Sequence, residues 1–553
     1  MAEAITEMVL PGTYIEVRAE GLIGVSGIVT GNVGVVGTAS KGTVGDFTIL
    51  SSFADARQMF GEYDEWAGGG ESELTLVRAL QQVFGNGAST IYAVRCASAG
   101  VAGASRALLR NTDPVVTLSA KTPGSWGGDV TVQVKEASGN AFVEDRRQAV
   151  TAAPLQPLHA NIASSPRNVV RIVKGDTGQS FRLALATSGQ AAAGKRAVVA
   201  ANGDLTFAAA DKPNEGDEII AAYEVSQSAC RDIEIKYGNV KETYTVVDAT
   251  DIERDVGGGS TLVDVTVETG QEDNLPDTMT DPLPLTGGSN GEDADPSDYA
   301  SALAVLDDEP INIVILAGQA FSGAQAALLS NVETAENNGR DRIAVVGADE
   351  DSPSVVSANA DSVSDDRLVL VSPGIQTQDL TSGKTVSLTP AYAAAAVAGL
   401  IASLAVHVSP TNKTLAVSGL TTSYNDGQLK QLLGSRVMPL QRKAGFRVVK
   451  GITTDSGPFR QISVRRIVDY AKQGTRIGSL PYIGRLNNAR VRGALQATLN
   501  GFLSDMVLNE QLTEFTLTVT ATREQEIAGV ALVTMLLKPT FSIDYIKVIM
   551  NLS

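Results

Sequence analysis

The sequence predicts a multidomain protein of the α/β and α+β classes, with an all-β insertion and a strand at each end. Strand and helix signals alternate in the first hundred residues and again after residue 285, which is typical of α/β domains. Between these regions, short strands are separated by Gly, Asn, Asp and Pro, as in all-β domains. Both ends of the chain are rich in β-branched and aromatic residues, which favour strands.

Both terminal segments have the pattern of strands that need a partner. Residues 10–18 place Thr13, Ile15 and Val17 on one face and Tyr14 and Glu16 on the other. Residues 541–552 are again β-branched and aromatic. A strand cannot satisfy its backbone N–H and C=O groups alone, so each end needs a sheet edge. We therefore expect the two ends to be donated into a sheet, including the sheet of a neighbouring molecule.

The region 21–98 is predicted to begin a central α/β domain. Its elements are a buried strand at 34–39, a short helix at 53–60, an amphipathic helix at 74–84 and a strand at 90–96. Residues 286–430 resume the same style. They carry strand signals at 311–316, 342–346 and 367–371 and helix signals at 299–306, 324–337 and 390–408. We expect both regions to form one sheet, with residues 99–285 inserted between its halves.

The insertion is predicted to be all-β, and a loop cluster with Pro276, Pro282 and Pro284 marks its end. Its short strands are predicted at 114–118, 130–134, 169–173, 233–235, 244–247 and 262–267. A separate α+β unit is predicted at 435–537, followed by a strand arm at 538–553. The residues 19–21 and 538–540 are the expected flexing points of the two arms.

Composition excludes several classes of protein. The chain has 553 residues, 43% of them apolar, and a net charge of −18, so we expect neither a nucleic acid nor a membrane as its partner. The alanine-rich stretch 390–408 is predicted to be a buried helix. The first residues have no basic and apolar segments, so we expect no secretory signal. The two cysteines, Cys96 and Cys230, fit a reducing compartment, with Cys96 packed in a strand.

Charge is segregated along the chain. Residues 242–309 contain eighteen carboxylates against the single Arg254. Residues 434–500 contain thirteen Lys or Arg against Asp455 and Asp469, a local charge of +11. A charge run is usually a solvated face. A cationic block this dense in an anionic chain nevertheless indicates a docking surface for something acidic.

Catalytic, metal and cofactor motifs are sparse. His159 lies in a proline-bounded loop and His407 in the alanine-rich stretch, with no ligand or nucleophile spacing around them. In residues 37–43 Lys41 precedes Gly42, whereas a phosphate loop needs Lys after its second Gly. The carboxylates of residues 307–309 indicate a solvated helix end. We expect no enzyme, no cofactor and no metal.

Four stretches in a fixed order resemble one known family. They are PGTYIEV at 11–17 with the glycine-rich segment 34–61, the FGNG at 84–87 followed by YAVR at 92–95, the passage 394–420, and ISVRRIVDY at 462–470 followed by DYI at 544–546. In this order they resemble the contractile tail sheath proteins of bacteriophages and related injection machines. The resemblance covers the two ends and the α/β parts. The insertion is not covered, and His407 departs from the pattern of many relatives.

The resemblance implies a structural subunit that polymerises helically around an inner tube and contracts to drive the tube through a target envelope. Its partners would be copies of itself in stacked, sixfold rings, the inner tail tube protein, and the baseplate and tail terminator proteins. Its place would be the virion tail, assembled in the host bacterial cytoplasm. The insertion would be an outer domain and residues 435–537 an inner domain, completed by strands from neighbouring subunits. The donated residues would be Tyr14, Ile15, Glu16 and Val17 of the N-terminal arm and Ile543, Tyr545, Ile546 and Val548 of the C-terminal arm.

The resemblance also implies that the basic block faces the tube. A helix is predicted at 485–508, with an apolar stripe at Val491, Leu495, Leu499, Phe502 and Met506. This arrangement leaves four polar residues off the stripe as candidate tube contacts: Arg485, Asn488, Arg490 and Arg492. In the alternative interpretation, these arginines pair with the acidic segment of a neighbouring subunit.

Three other functions remain open from the sequence. The first is a non-contractile viral or surface assembly protein that uses strand exchange, such as a capsid-like or lattice component. The second is an α/β enzyme with a β-rich appendage, which would need a convergent polar site that the sequence does not show. The third is an assembly locked by a disulfide through Cys96 or Cys230.

Overall fold

The structure, a computed structural model, describes residues 27–63, 66, 68, 73–151 and 153–551. The described residues divide into two units, each with its own apolar core. Unit 1 contains residues 27–39, 44–98 and those from 293 onward, and unit 2 contains residues 40–43 and 99–292. The mixed α/β fold with several sheets that the sequence predicts is confirmed. The predicted N-terminal strand lies outside the described residues.

Unit 1 begins with an α/β segment in which Ser52 caps the first helix by accepting a hydrogen bond from the Asp55 amide. The predicted helix at 53–60 and strand at 90–96 are confirmed to the residue. The elements are β1 (Asn32–Thr38), β2 (Phe47–Leu50), α1 (Phe53–Phe60), α2 (Leu76–Gly85) and β3 (Thr90–Cys96).

Unit 2 consists mainly of short antiparallel strands, as predicted. Its described residues also form two 3-10 turns, at Ser125–Asp129 and Gln227–Ala229, and a short α-helix that continues as a π-helical turn at Ile252–Gly257. In the described chain, six strands form one of its sheets, in the order β12-β11-β10-β9-β13-β8, and β15-β14-β7-β17 form another. The elements are β4 (Val101–Ala102), β5 (Ser105–Arg110), β6 (Asp113–Ala120), β7 (Thr131–Glu136), β8 (Ala141–Ala149), β9 (Val169–Val173), β10 (Ser180–Ala186), β11 (Arg196–Val199), β12 (Leu205–Thr206), β13 (Glu218–Val225), β14 (Arg231–Tyr237), β15 (Val240–Val246), α3 (Ala249–Asp251), β16 (Val263–Val267), β17 (Leu283–Pro284) and β18 (Ser289–Asn290).

Unit 1 then resumes with helices that alternate with buried strands, and it ends in two long helices and a hairpin. The middle elements are α4 (Pro296–Ala304), β19 (Ile313–Leu316), α5 (Phe321–Asn337), β20 (Ile343–Gly347), α6 (Pro353–Asp361), β21 (Leu368–Ser372), β22 (Ile375–Gln378), β23 (Thr385–Leu388), α7 (Pro390–Ser403), β24 (Thr414–Leu415), β25 (Gly419–Leu420), α8 (Asp426–Gly434), β26 (Met438–Arg442) and β27 (Phe446–Val448). The last are α9 (Ile462–Ser479), α10 (Ala489–Leu508), β28 (Leu512–Thr520), α11 (Arg523–Ile527) and β29 (Leu532–Pro539).

The main sheet of unit 1 joins the chain segments that flank the insertion. Among the described residues its order is β2-β3-β1-β19-β20-β21-β26-β27-β24, and β1 runs parallel to both β3 and β19. The expectation that both regions share one sheet is therefore confirmed. The predicted start of a separate unit at 435 is wrong, because Met438 pairs with Val371 of β21 and extends the same sheet. Met438 and Leu440 are fully buried, which explains why this strand joins the core.

The alanine-rich helix α7 is buried, as predicted, but it ends at Ser403 rather than at 408. Its small side chains let it pack closely against α2, and a Cβ atom at Gly399 would overlap the carbonyl oxygen of Val83. No helix in the described part of the chain combines the length and apolar character needed to cross a membrane. Because α7 packs so closely against α2, these two helices and the main sheet form the rigid centre of unit 1.

We predict that Gly399→Ala lowers the free energy of unfolding by about 1–3 kcal/mol, because the added methyl group overpacks the contact between α7 and α2. Urea unfolding of the unassembled subunit measures the change. Gly434→Ala is the control, because a Cβ atom at this helical position meets no neighbour within 4 Å. A Gly399→Ala variant as stable as this control would show that the two helices are not held at their minimum separation.

Candidate assembly site

The C-terminal part of unit 1 packs two helices against one face of a hairpin. The predicted stripe of α10 is confirmed at Leu495, Leu499, Phe502 and Met506, which are buried, whereas Val491 is half-buried. On the hairpin, every second side chain turns inward, as the period of two in a strand requires. The inward residues that contact the helices are Phe515, Leu517, Val519, Val533, Met535 and Leu537.

The hairpin is incomplete as a sheet. Within the described residues β28 pairs with β29 and with no other strand, so the outer edges of both strands lack a partner. Its outward face carries exposed side chains such as Thr516, Thr518 and Leu536. Two strands are marginal as a sheet, and unpaired edges are templates for pairing with another chain. The hairpin is therefore the candidate acceptor for donated strands.

The C-terminal segment 540–551 forms no strand in this subunit. The sequence predicts a strand at 541–552, and the structure gives a physical reason for the difference, since the segment pairs with no described edge of its own chain. Of the four predicted donor residues, Ile543 and Tyr545 are 81% exposed, Ile546 is 83% exposed and Val548 is 72% exposed. Their donation to a neighbour stays a prediction. The N-terminal donor residues Tyr14, Ile15, Glu16 and Val17 lie outside the described residues.

The predicted flexing point at 538–540 is wrong for the C-terminal arm. Lys538 and Pro539 belong to β29, where they pair with Glu514 and Leu512 of β28. The Thr540 amide then donates a hydrogen bond to the Gln511 carbonyl at 3.1 Å. The missing N–H of a proline is tolerated on an edge strand. Pro539 is therefore the last residue of β29 and stays part of the hairpin, so it does not form a hinge.

The four candidate tube contacts differ in how free they are. Helix α10 begins at Ala489, and the Asn488 side chain caps it by accepting a hydrogen bond from the Val491 amide at 3.0 Å. Arg492 is held by an ion pair of 3.0 Å with Glu526. Arg485 is exposed with its guanidinium 5.4 Å from the Tyr482 ring, and Arg490 is exposed and makes no ion pair with any described residue. Only Arg485 and Arg490 of the four thus present a charge to a partner.

Much of the basic block is paired inside the subunit. Helix α9 contributes Arg465, Lys472 and Arg476, which form ion pairs with carboxylates of the central part of unit 1 or of α9 itself. Arg367, directly before the first residue of β21, lies in the middle of this ion network. The acidic members of the network are Glu336, Asp341, Asp366 and Asp469.

The α9 ion network was not foreseen from the sequence, because its carboxylates lie outside the acidic run at 242–309. Arg466, also on α9, is buried and donates to the backbone carbonyls of Leu404 at 3.0 Å and Thr30 at 2.9 Å. The interpretation of the whole block as a docking surface is therefore wrong for α9. Instead, the basic side chains of α9 form ion pairs and hydrogen bonds that attach this helix to the part of unit 1 that contains the main sheet.

A cluster of polar contacts around His159 in unit 2 was also not predicted from the sequence. His159 Nδ1 lies 2.7 Å from the Tyr223 hydroxyl, and Nε2 lies 2.7 Å from Oδ2 of Asp248, which is fully buried. The other oxygen of Asp248 accepts a hydrogen bond from the Asp251 amide, so that Asp248 caps the start of α3. Both nitrogens of His159 are thus used in fixing α3 to the six-stranded sheet, so the cluster has a packing role.

The cysteines and the remaining histidine offer no reactive group. Cys96 and Cys230 are both free and buried, and burial raises the pKa of the Cys96 thiol to about 12 and raises that of Cys230 as well. A buried thiol of raised pKa is a poor nucleophile, which favours packing over a disulfide lock. Nδ1 of His407 is buried without a hydrogen-bond partner among the described residues. The described residues contain no group of His, Cys, Asp and Glu that could hold a metal ion.

Comparisons with known proteins find families and relatives that this chain resembles. Residues 292–454 match the family model of the phage tail sheath protein central domain, and residues 454–553 match that of the phage tail sheath C-terminal domain. The tail sheath protein of Mycobacterium phage Bxz1 is 28% identical over 206 residues, which are 34% of this chain. The match spans about a third, 36%, of the length of this curated relative.

Two solved structures share the fold. The sheath tail protein of Desulfitobacterium hafniense superposes with a TM-score of 0.57 at 16% identity, covering 96% of this chain and 100% of that chain. The sheath tail protein of Listeria innocua superposes with a TM-score of 0.60 at 15% identity, covering 94% of this chain and 93% of that chain. At these identities the likeness shows the fold.

We predict that the α9 ion network makes the subunit acid-sensitive. The hydrogen bonds from Arg367 and the charge of Lys472 lower the pKa of Glu336 from 4.5 to about 2. A carboxyl whose pKa is depressed by folding stabilises the fold above its unfolded pKa, and this stabilisation disappears as the pH falls from about 4.5 to about 2. Glu336→Gln should therefore reduce the free energy of unfolding at pH 7 and flatten its decline in this pH window.

Urea unfolding between pH 7 and pH 2.5 measures this slope. Glu333→Gln is the matched control, because Glu333 is exposed on the same helix and makes no ion pair with a described residue. The control should follow the wild-type slope. An unchanged slope for Glu336→Gln would show that the ion network does not couple folding to pH.

Proposed function

Because the chain belongs to the phage tail sheath family, we propose that it is the structural sheath subunit of a contractile phage tail or injection machine. The subunit polymerises helically around an inner tube and contracts to drive that tube through the target envelope. It acts as a structural element without a catalytic step. Its place is the virion tail, assembled in the cytoplasm of the host bacterium.

One observation carries the proposal. Among its described residues, one subunit has a two-stranded hairpin with unpaired outer edges. It also has an exposed C-terminal segment whose sequence favours a strand. An extended segment that adds to a sheet edge gains affinity from main-chain hydrogen bonds and register from alternate side chains. Two donated arms, one on each edge, would turn the hairpin into a four-stranded sheet. The arms are the N-terminal residues Tyr14, Ile15, Glu16 and Val17 and the C-terminal residues Ile543, Tyr545, Ile546 and Val548.

Strand donation of this kind builds a lattice. A donor on one subunit and an acceptor on the next form a heterologous contact, which propagates as rings or helices and does not end at a dimer. The proposed assembly is a helical stack of sixfold rings around the tail tube protein. The baseplate and tail terminator proteins would bound the stack at its ends.

Contraction requires that the sheath store energy after assembly. We envisage an extended sheath held by a kinetic barrier that the baseplate releases, with a larger buried interface in the contracted lattice. The α9 ion network attaches the hairpin region to the central sheet of unit 1. A movement of the central sheet would therefore carry the hairpin with it, while the donated strands keep neighbouring subunits connected.

The proposed tube contact is the loop between α9 and α10 together with the first turn of α10. Arg485 and Arg490 are exposed there. Three apolar side chains of the loop are also highly exposed: Leu480, Ile483 and Leu486. A few exposed charges give weak, salt-sensitive contacts, as a contact that contraction must break requires.

Two alternatives remain beside this proposal. The exposed arginines could pair with the acidic segment 242–309 of a neighbouring subunit instead of the tube. A non-contractile viral or surface lattice could also use the same strand exchange. Electron microscopy of the purified protein separates the latter, because a sheath forms hollow striated tubes, whereas a capsid or surface layer forms shells or flat arrays.

We predict that Val548→Pro severely weakens polymerisation, because proline removes the amide that a donated strand needs in the ladder. The critical concentration should rise by at least about 100-fold, measured by sedimentation and electron microscopy. Val548→Thr, which keeps the amide and a β-branched side chain, is the control and should polymerise nearly as the wild type does. Since Val548 is exposed in the free subunit, thermal unfolding should be the same for all three proteins. Normal polymers of Val548→Pro would refute strand donation by this arm.

We predict that Arg485→Glu combined with Arg490→Glu prevents sheath assembly on isolated tail tubes and leaves tube-free polymerisation intact. Arg442→Glu combined with Lys443→Glu is the control, because it reverses two exposed charges at the end of β26 and on the turn that follows it. Co-sedimentation with tubes at low and high salt measures the effect, which we expect to be at least about tenfold in apparent affinity at low salt. Loss of both tube-free and tube-dependent assembly would instead support pairing of the arginines between subunits.

A further inference from the structure

The C-terminal segment does not leave the subunit where its hairpin ends. From residue 541 to 544 burial alternates, with Ser542 and Asp544 turned toward the subunit and Phe541 and Ile543 turned to solvent. From residue 545 to 551 every residue is exposed and the alternation stops. The segment therefore follows the surface of its own subunit for four residues and departs from it at Tyr545.

The departure point coincides with a cluster of polar contacts. Asp544 forms an ion pair of 3.0 Å with Lys450, and the Gln461 amide donates to the same carboxylate at 3.2 Å. The side chains of Lys450 and Asp544 are 17% and 11% exposed, so both are largely shielded from water. The Ser542 hydroxyl donates to Asp544 at 3.2 Å, and Lys450 Nζ lies 3.3 Å from the Tyr545 hydroxyl.

The receiving side of this cluster is a fixed part of unit 1. Lys450 follows β27, and Gln461 directly precedes α9, with its side-chain amide free of any capping bond to that helix. Between them the chain is folded back on itself through a bridge from Ile452 to Gln461, and Ile452 is fully buried. The cluster thus ties the tail to the same rigid body that carries the α9 ion network.

We propose that Lys450, Gln461 and Asp544 form an anchor that sets the pivot of the C-terminal arm, so that the donated strand begins at Tyr545. This inference rests on the proposed strand exchange and refines it. An arm that pivots at Asp544 instead of at Pro539, where the hairpin ends, starts five residues later, which at about 3.3 Å per residue is about 17 Å of chain. The anchor therefore removes about 17 Å from the reach of the donated strand and restricts the acceptor edges that it can meet.

The anchor also fixes which face of the donated strand is which. In the free segment Ile546, Val548 and Met550 share one face, and Tyr545, Lys547 and Ile549 share the other. A shift of the pivot by one residue would exchange these faces at the acceptor, since the side-chain period is two. A fixed pivot consequently favours a single register and a single lattice spacing.

The experiment compares Lys450→Gln and Asp544→Asn with the charge-swapped pair Lys450→Asp and Asp544→Lys. Each single change should raise the critical concentration for polymerisation by about tenfold and broaden the distribution of helical spacings in electron micrographs. The swapped pair should recover most of both losses. Lys443→Gln, at an exposed lysine on the turn between β26 and β27, is the matched control and should behave as the wild type does.

Deletion of residues 546–553 separates failure of the anchor from failure of strand exchange. If the deleted chain polymerises normally, strand exchange by this arm is refuted, and the anchor with it. If the deletion blocks polymerisation but both single variants keep the wild-type critical concentration and a uniform lattice, the anchor alone is refuted. Asp544→Asn lies in the tail outside the folded core, and thermal unfolding of each unassembled variant checks that the fold is unchanged.

Discussion

The rest of the structure depends on a hairpin that cannot complete its own sheet. Strands β28 and β29 bury one face against α9 and α10, and this packing holds the hairpin in place. The packing does nothing for the outer backbone groups, which need hydrogen-bond partners from elsewhere. The exposed tail of the same chain has strand-forming side chains and pairs with no edge among the described residues. In the proposed assembly, this donor and this acceptor, which coexist on one subunit, are satisfied together between subunits.

The hairpin is useful for assembly only because it is attached rigidly. The α9 ion network buries Arg367 among carboxylates from α5 and α9, with Asp469 at 3.0 Å and Glu336 at 2.9 Å. Burying charges costs desolvation energy, so such a network is a weak source of stability compared with apolar packing. Its benefit lies in geometry, since removal of one partner leaves the others uncompensated and strongly penalises any other position of α9. We infer that the network keeps acceptor and donor at a fixed separation.

The sequence predicts local elements well where one period dominates. The helix at 53–60 and the strands at 90–96 and 169–173 appear as predicted, because each has a clear local signal: a helical period, a short continuous apolar run, or an alternation of buried and exposed residues. Pairing over long distances was not predictable in this way. The strand Met438–Arg442 reads as the start of a new unit, yet its buried side chains complete the main sheet beside β21.

In the candidate site, too, local features could be predicted from the sequence and long-range contacts could not. The stripe of α10 follows from its spacing, and Asn488 three residues before Val491 is a capping signal from which the start of the helix could have been read. The fate of the basic block could not be inferred, because counting charge within a segment does not reveal partners such as Glu336 or Asp341. Nor does the sequence show that the tail is held at Asp544, since Lys450 lies almost a hundred residues earlier.

The internal use of the basic block bears on how a sheath can contract. The basic side chains of α9 are used in ion pairs and hydrogen bonds within unit 1, and Arg492 is paired with Glu526. Arg485 and Arg490 are therefore the exposed charges that remain near the start of α10. Exposed charges are screened over about 8 Å at physiological ionic strength and contribute about 1 kcal/mol or less per pair. A donated strand, in contrast, forms several main-chain hydrogen bonds and buries side chains along its length. In the proposed sheath, tube contacts of the first kind can break in concert while strand contacts of the second kind persist, which is the order of strengths that a contracting lattice requires.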